Sequence, residues 1–141
     1  MFVPQVIKSN ALDRLLAGTL GEKILVVDDD PEILALFNVA LKRARYDVMC
    51  ASEAYSGLAK FQEFRPDIVI VDYEMPFLSG IEVARKILEM KGETRVIMVS
   101  AREEIRGEAL NMGIEFLLKP LSLKVILGTV QAKREEIVLF R

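Results

Sequence analysis

The 141-residue chain carries 19 basic against 21 acidic side chains, a net charge of −2, and 52% of it is apolar. A chain of this size completes one ordinary core without disulfides or structural metal, and its charge gives no electrostatic reason to expect nucleic acid or an anionic membrane as a direct partner. It has no histidine, which excludes a Ser/His/Asp triad, a His-liganded zinc site and a phosphohistidine relay on this chain.

The single cysteine, Cys50, cannot form an internal disulfide and fits a reducing compartment. The opening "MFVPQVIKSN" lacks the long apolar core of a signal peptide, and no run approaches transmembrane length. A cytoplasmic domain is the expectation.

Residues 1–21 form an N-terminal extension, in which Ser9 or Asn10 caps a predicted short helix through Leu12, Leu15, Leu16 and Leu20, with Gly18 and Gly21 ending it. This extension and the apolar end "IVLFR" are expected to pack on the domain or on a partner. The domain proper is residues 22–141. From residue 23 onward short apolar runs alternate with helical patterns. The first strand is Lys23–Asp28, followed by a helical stripe of Ile33, Phe37, Leu41 and Ala44. A second strand, Asp47–Ala51, precedes a stripe of Ala54, Leu58 and Phe61. The third, Asp67–Asp72, precedes Ile81, Ala84 and Leu88. The fourth, Arg95–Ser100, precedes Ile105, Ala109 and Met112. The fifth, Glu115–Lys119, precedes Leu123, Ile126, Val130 and Ile137. Strands one, three and four are apolar throughout, the mark of parallel strands covered on both faces. Five β-α pairs in succession predict an α/β fold with a doubly wound, five-stranded parallel sheet and right-handed crossovers.

In such a sheet, ligands bind beyond the carboxyl ends of the strands, where the strand order reverses. Asp28 and Asp29 follow the first strand, Asp72 ends the third, Ser100 the fourth and Lys119 the fifth. If strands one and three are neighbours, three carboxylates converge. Alone they repel, but together they suit a hard divalent cation such as Mg²⁺, which takes one or two carboxylates and keeps several waters. With Lys119 as a further cation and Ser100 as a hydrogen-bond donor, the set reads as a phosphoryl site with one carboxylate as nucleophile. Asp30, followed by Pro31 and Glu32, reads instead as the N-cap of the first helix.

The ordered stretches "ILVVDDD", "DIVIVDYEMPFLSG", "VIMVSA" and "FLLKP" resemble the receiver domain of two-component response regulators, over residues 23 to about 136. The resemblance implies the flavodoxin-like strand order 2-1-3-4-5. It implies that Asp72 is the phosphoacceptor, taking its group from a sensor histidine kinase or phosphotransfer protein. Asp29 is then the direct Mg²⁺ ligand, Asp28 acts through metal-bound water, and Asp72 with the backbone carbonyl of Glu74 completes the protein ligands. Lys119 pairs with the acceptor and then the phosphate. Ser100 is the switch hydroxyl and Phe116 the aromatic that turns into the space it vacates, and Pro120 follows the lysine where the family often has a cis peptide. Ser79 stands where the family commonly has Asp, expected to be a turn variation.

Glu74 and Arg102, two residues beyond Asp72 and Ser100, are expected to form a charged pair that screens the phosphate and slows autodephosphorylation. The interval from Ser100 to Lys119 is about a turn short, so the fourth helix is expected to be short and the family's dimer surface is in doubt; a homodimer is left open. No room is apparent for an output domain, so output is expected through an unknown downstream protein rather than direct nucleic-acid contact. Two other readings stand beside this one. The first is a receiver-shaped binding module that is never phosphorylated. The second is an aspartyl phosphatase of the haloacid dehalogenase type, which wants Asp rather than Glu74 and something other than Pro76.

Overall fold

The computed structural model describes residues 22–139, with side chains through residue 132. The helix expected within residues 1–21 and the side chains of "IVLFR" lie outside the described residues. The elements run β1 (Lys23–Val27), α1 (Pro31–Arg43), β2 (Asp47–Ala51), α2 (Ala54–Phe64), β3 (Ile68–Asp72), α3 (Gly80–Met90), β4 (Arg95–Ser100), a 3₁₀ turn (Glu103–Ile105), α4 (Arg106–Asn111), β5 (Glu115–Leu118) and α5 (Leu123–Leu139). The strands form one parallel sheet in the order β2-β1-β3-β4-β5, the fold the alternating runs and the resemblance predicted. β1 stops one residue short of Asp28 and β5 one short of Lys119. Both functional candidates therefore stand just past their strands.

Alternate residues of each strand feed two separate cores, which is why the runs are apolar throughout. Leu25, Val27, Val69 and Val71 pack with α2, α3 and α4 through Phe61, Ile81, Ile87 and Ala109. Ile24, Val26, Ile68 and Ile70 pack on the opposite face with Phe37, Leu41, Ile126 and Val130 of α1 and α5. At the sheet edge Arg95 makes a two-pronged contact with Glu115 (2.6 and 2.8 Å) and donates to the carbonyls of Thr129 and Val130 (2.7 and 2.9 Å). One guanidinium thus ties β4 to β5 and both to α5.

Helix starts are set by side-chain caps that satisfy otherwise orphaned N–H groups. Asp30 accepts from the Glu32 N–H, with Pro31 at the first helical position, as the sequence predicts. Ser79 does more than vary a turn. It opens α3 with a reciprocal capping box, its Oγ receiving the Glu82 N–H while the Glu82 carboxylate receives its own N–H. α4 is only six residues long after its 3₁₀ turn, as the short interval predicts.

Register brings the strand ends level. Val27 lies opposite Ala51 and Val71, Asp72 opposite Val99, and Ser100 opposite Leu118. The loop after β3 then folds tightly back, with the Gly80 N–H donating to the Tyr73 carbonyl at 2.8 Å. A Cβ at Gly80 would sit 2.5 Å from the Asp72 carbonyl oxygen and 2.7 Å from Tyr73 Cα. Backbone there would have to move, so Gly80→Ala is expected to cost about 1–3 kcal/mol. Gly107, within α4 with open space around it, should gain about 0.5–1 kcal/mol on replacement by Ala. Urea midpoints of the two variants check both signs.

Candidate functional site: a carboxylate cluster at the strand ends

Asp28 continues the β1 line by one residue, its N–H donating to the Ala51 carbonyl at 3.1 Å. This turns its carboxylate inward, where it is buried and accepts the Asp30 N–H at 2.9 Å. Asp29 is exposed at the rim. Asp72, the last residue of β3, is buried to 3% exposure. Asp28, Asp29 and Asp72 each bring a carboxylate oxygen within 4.8 Å of the other two. The three acids singled out in the sequence thus meet in one place. Lys119 reaches over from the end of β5, its Nζ 3.0 Å from Asp72 Oδ1, and its peptide bond to Pro120 is cis. Ser100 is fully buried at the end of β4. Its Oγ accepts the Arg102 N–H at 2.9 Å and lies 3.5 Å from Glu74 Oε2.

The electrostatics follow from this crowding. Burial pushes the Asp72 carboxyl up to about 6; Lys119 pulls it back, and Asp28 and Glu74 push it further. Burial likewise raises Asp28, against the Asp30 N–H and Lys119, with Asp29 and Asp30 adding to the rise. Burial alone would lower Lys119, but Asp72, Asp28 and Glu74 more than reverse it, so the ammonium is held charged. One lysine does not compensate three acids. An under-compensated set of hard oxygen donors, two buried and one at the rim, fits a divalent cation with several waters.

One detail differs from the sequence expectations. Arg102 does not pair with Glu74: it bonds Glu104 at 3.1 Å and lies over the Tyr73 ring at 5.6 Å. The loop after β4 supplies a nearer carboxylate. Phe116, the expected switch aromatic, has its ring buried. Arg106 lies over it at 4.8 Å and is paired with Glu103. Neither the Arg102–Glu104 pairing nor the Arg106–Phe116 contact carries a periodic signal in the sequence. Beside Lys119 and Pro120 a groove of about 510 Å³, walled by Ile33, Leu36, Phe37 and Leu121, opens between α1 and α5. It too required the tertiary fold to be seen.

With this geometry in hand, comparison with known proteins gives a consistent picture. The model of the response regulator receiver domain matches residues 24–131. The alkaline phosphatase synthesis transcriptional regulatory protein PhoP of Bacillus subtilis is 32% identical over 123 residues, 84% of this chain and 51% of that protein. The chain therefore spans about half the length of the curated relative it matches. Among solved structures, chemotaxis protein CheY4 of Vibrio cholerae superposes with a TM-score of 0.74 at 29% identity, covering 79% of this chain and 98% of that one. The response regulator TrrA of Thermotoga maritima, solved in complex with Mg²⁺ and BeF, gives 0.73 at 31% identity, over 79% of this chain and 97% of that one. No helix among the described residues is long and apolar enough to cross a membrane.

The Asp72 carboxyl makes stability depend on pH. Because its folded pKa of about 6 lies above the ordinary 3.8, its stabilising contribution is full below about 3.8 and is lost as pH rises through about 6. In metal-free buffer, Asp72→Asn should be more stable than the wild type at pH 7, by up to about 3 kcal/mol. The difference should vanish near pH 4. Chemical denaturation of both proteins across that range in EDTA measures it.

Proposed function

This chain belongs to the response regulator receiver domain family, and from that premise we propose that Asp72 accepts a phosphoryl group from a partner's phosphohistidine and that the acyl phosphate switches a protein-interaction surface. The observation that carries this reading is the buried Asp72 carboxylate, 3.0 Å from Lys119 and within 4.8 Å of the oxygens of Asp28 and Asp29.

A carboxylate oxygen of Asp72 bonds to phosphorus as the donor's phosphorus–nitrogen bond breaks, and the electron pair returns to the imidazole. Lys119 already faces Asp72 and can follow the negative charge onto the phosphoryl oxygens without crossing the site. Asp29, Asp72 and the Glu74 carbonyl would hold Mg²⁺, with Asp28 behind a bound water; the ion would supply charge neutralisation at the transferring oxygens.

Ser100 is the link outward. If its hydroxyl turns to donate to the phosphoryl oxygens, it gives up the Glu74 carboxylate to which it now donates, and the movement of Oγ also breaks the bond it accepts from the Arg102 N–H. That releases the loop leading into the 3₁₀ turn and α4, which carries Arg106 over Phe116. The switch then acts by reshaping the cover of an already buried Phe116 rather than by drawing the ring inward. A gap of only a few kcal/mol between the two states would let one covalent group tip it.

The phosphodonor in this reading is a sensor histidine kinase or a phosphotransfer protein, and the protein works in the cytoplasm as a switch rather than a turnover enzyme. Output passes through contact with a downstream protein. Relatives such as PhoP are named as transcriptional regulators, which makes an effector of transcription the second route.

Incubation with acetyl phosphate and Mg²⁺, followed by intact-mass measurement, should add one phosphoryl group to the wild type and none to Asp72→Asn. Equal labelling of the variant, or none of the wild type, overturns the assignment. Glu74 lies close enough to push the Asp72 carboxyl up and would screen the acyl phosphate, so the adduct is expected to decay over minutes once the donor is removed. Loss within seconds contradicts that screening role.

A further inference from the structure

The loop between Asp72 and α3 carries an aromatic that the fold does not use. Phe77 is 88% exposed, and its φ is +75°, a left-handed conformation that a bulky side chain rarely adopts. The Leu78 N–H donates to the Pro76 carbonyl at 2.9 Å, so Phe77 is the centre of a γ-turn of the strained, positive-φ kind.

The strain is imposed from both sides. Upstream lies the acceptor at the end of β3. Downstream, Leu78 is buried, Ser79 is locked in its capping box, and Gly80 is wedged against the Asp72 carbonyl. A rigid frame therefore presents a large apolar ring to solvent in a backbone geometry better suited to Gly or Asn. The conformation costs free energy, the exposed ring gains none by burial, and nothing within the described fold offsets the cost. Such local costs persist where the surface has a task.

We propose that Phe77 is the apolar anchor by which this receiver engages its protein phosphodonor. The inference rests on the acceptor reading of Asp72. An imidazole reaches only a few ångströms from its own backbone, so a donor that brings phosphohistidine to Asp72 must cover the rim of the site. Phe77 is exposed five residues from the acceptor, on the pinned loop that leads out of β3 at Asp72. An aromatic ring buried at the centre of a protein contact supplies a large share of its energy. A small-molecule phosphodonor needs no such contact, and this separates the ring's role from the chemistry.

The test compares wild type, Phe77→Asn and Phe77→Tyr with two donors: acetyl phosphate, and phosphorylated histidine kinases purified as a panel. Phe77→Asn should be phosphorylated by acetyl phosphate at the wild-type rate, while transfer from a kinase active on the wild type should slow at least tenfold. Phe77→Tyr should restore that transfer. Because Asn tolerates positive φ, Phe77→Asn should also melt a few degrees higher. Unchanged transfer from the kinase, an equal loss with both donors, or a lowered melting temperature overturns the role given to Phe77. Failure of acetyl phosphate to label the wild type would instead overturn the acceptor reading on which it rests.

Discussion

The structure turns on one imbalance. A parallel sheet with order β2-β1-β3-β4-β5 sets β1 beside β3, so Asp28 and Asp72 come out of the sheet together and are both buried. Lys119 answers only part of their charge. Burial raises both carboxyls despite the lysine, and the fold tolerates this because two complete cores flank the sheet. Marginal local stability is what a switching site requires, since a group arriving there must be able to alter the balance. The capping box at Ser79 and the close approach of Gly80 hold the acceptor loop tightly enough for this tension to be maintained.

The same site reaches the surface through few bonds. Ser100 is buried beside the cluster and accepts the Arg102 N–H. Arg102 leads directly into the 3₁₀ turn, whose Glu103 is paired with Arg106, and Arg106 covers Phe116. Because α4 has only six residues, a change at Ser100 has little helical structure to absorb it before reaching Phe116. Arg95 pins the far side, joining β4 and β5 to α5. The segment between Ser100 and Phe116 carries only the 3₁₀ turn and the six-residue α4. Phe77, on the loop after β3, is exposed. Reception of the group and transmission of its effect thus fall on different loops around Asp72.

Most of the frame was legible in the residues. Continuous apolar runs such as "DIVIVD" mark strands buried on both faces, and Asp30-Pro31-Glu32 marks a helix start, because both signals are local and periodic. The convergence of Asp28, Asp29 and Asp72 followed once strand order was assumed. What escaped depended on side chains choosing among neighbours. Arg102 has Glu104 two residues away and takes it over Glu74. Phe116 is packed inward under Arg106, a contact no spacing encodes. Ser79 was underestimated because its partner, Glu82, matters only once the helix begins there. The strain at Phe77 was invisible for a different reason: sequence pattern reports preference, and here the surrounding loop overrides it.

If excess negative charge at the strand ends governs the site, a divalent cation should stabilise the folded protein by binding there. The most direct measurement is the melting temperature at pH 7 as Mg²⁺ is raised from zero to tens of millimolar at constant ionic strength, for the wild type, Asp29→Asn and Asp72→Asn. The account predicts a saturable rise of several degrees for the wild type, since a ligand at a hundredfold its Kd adds about 2.7 kcal/mol. Most of that rise should be absent from both variants. A wild-type melting temperature indifferent to Mg²⁺, or one that rises equally in all three proteins, would contradict it.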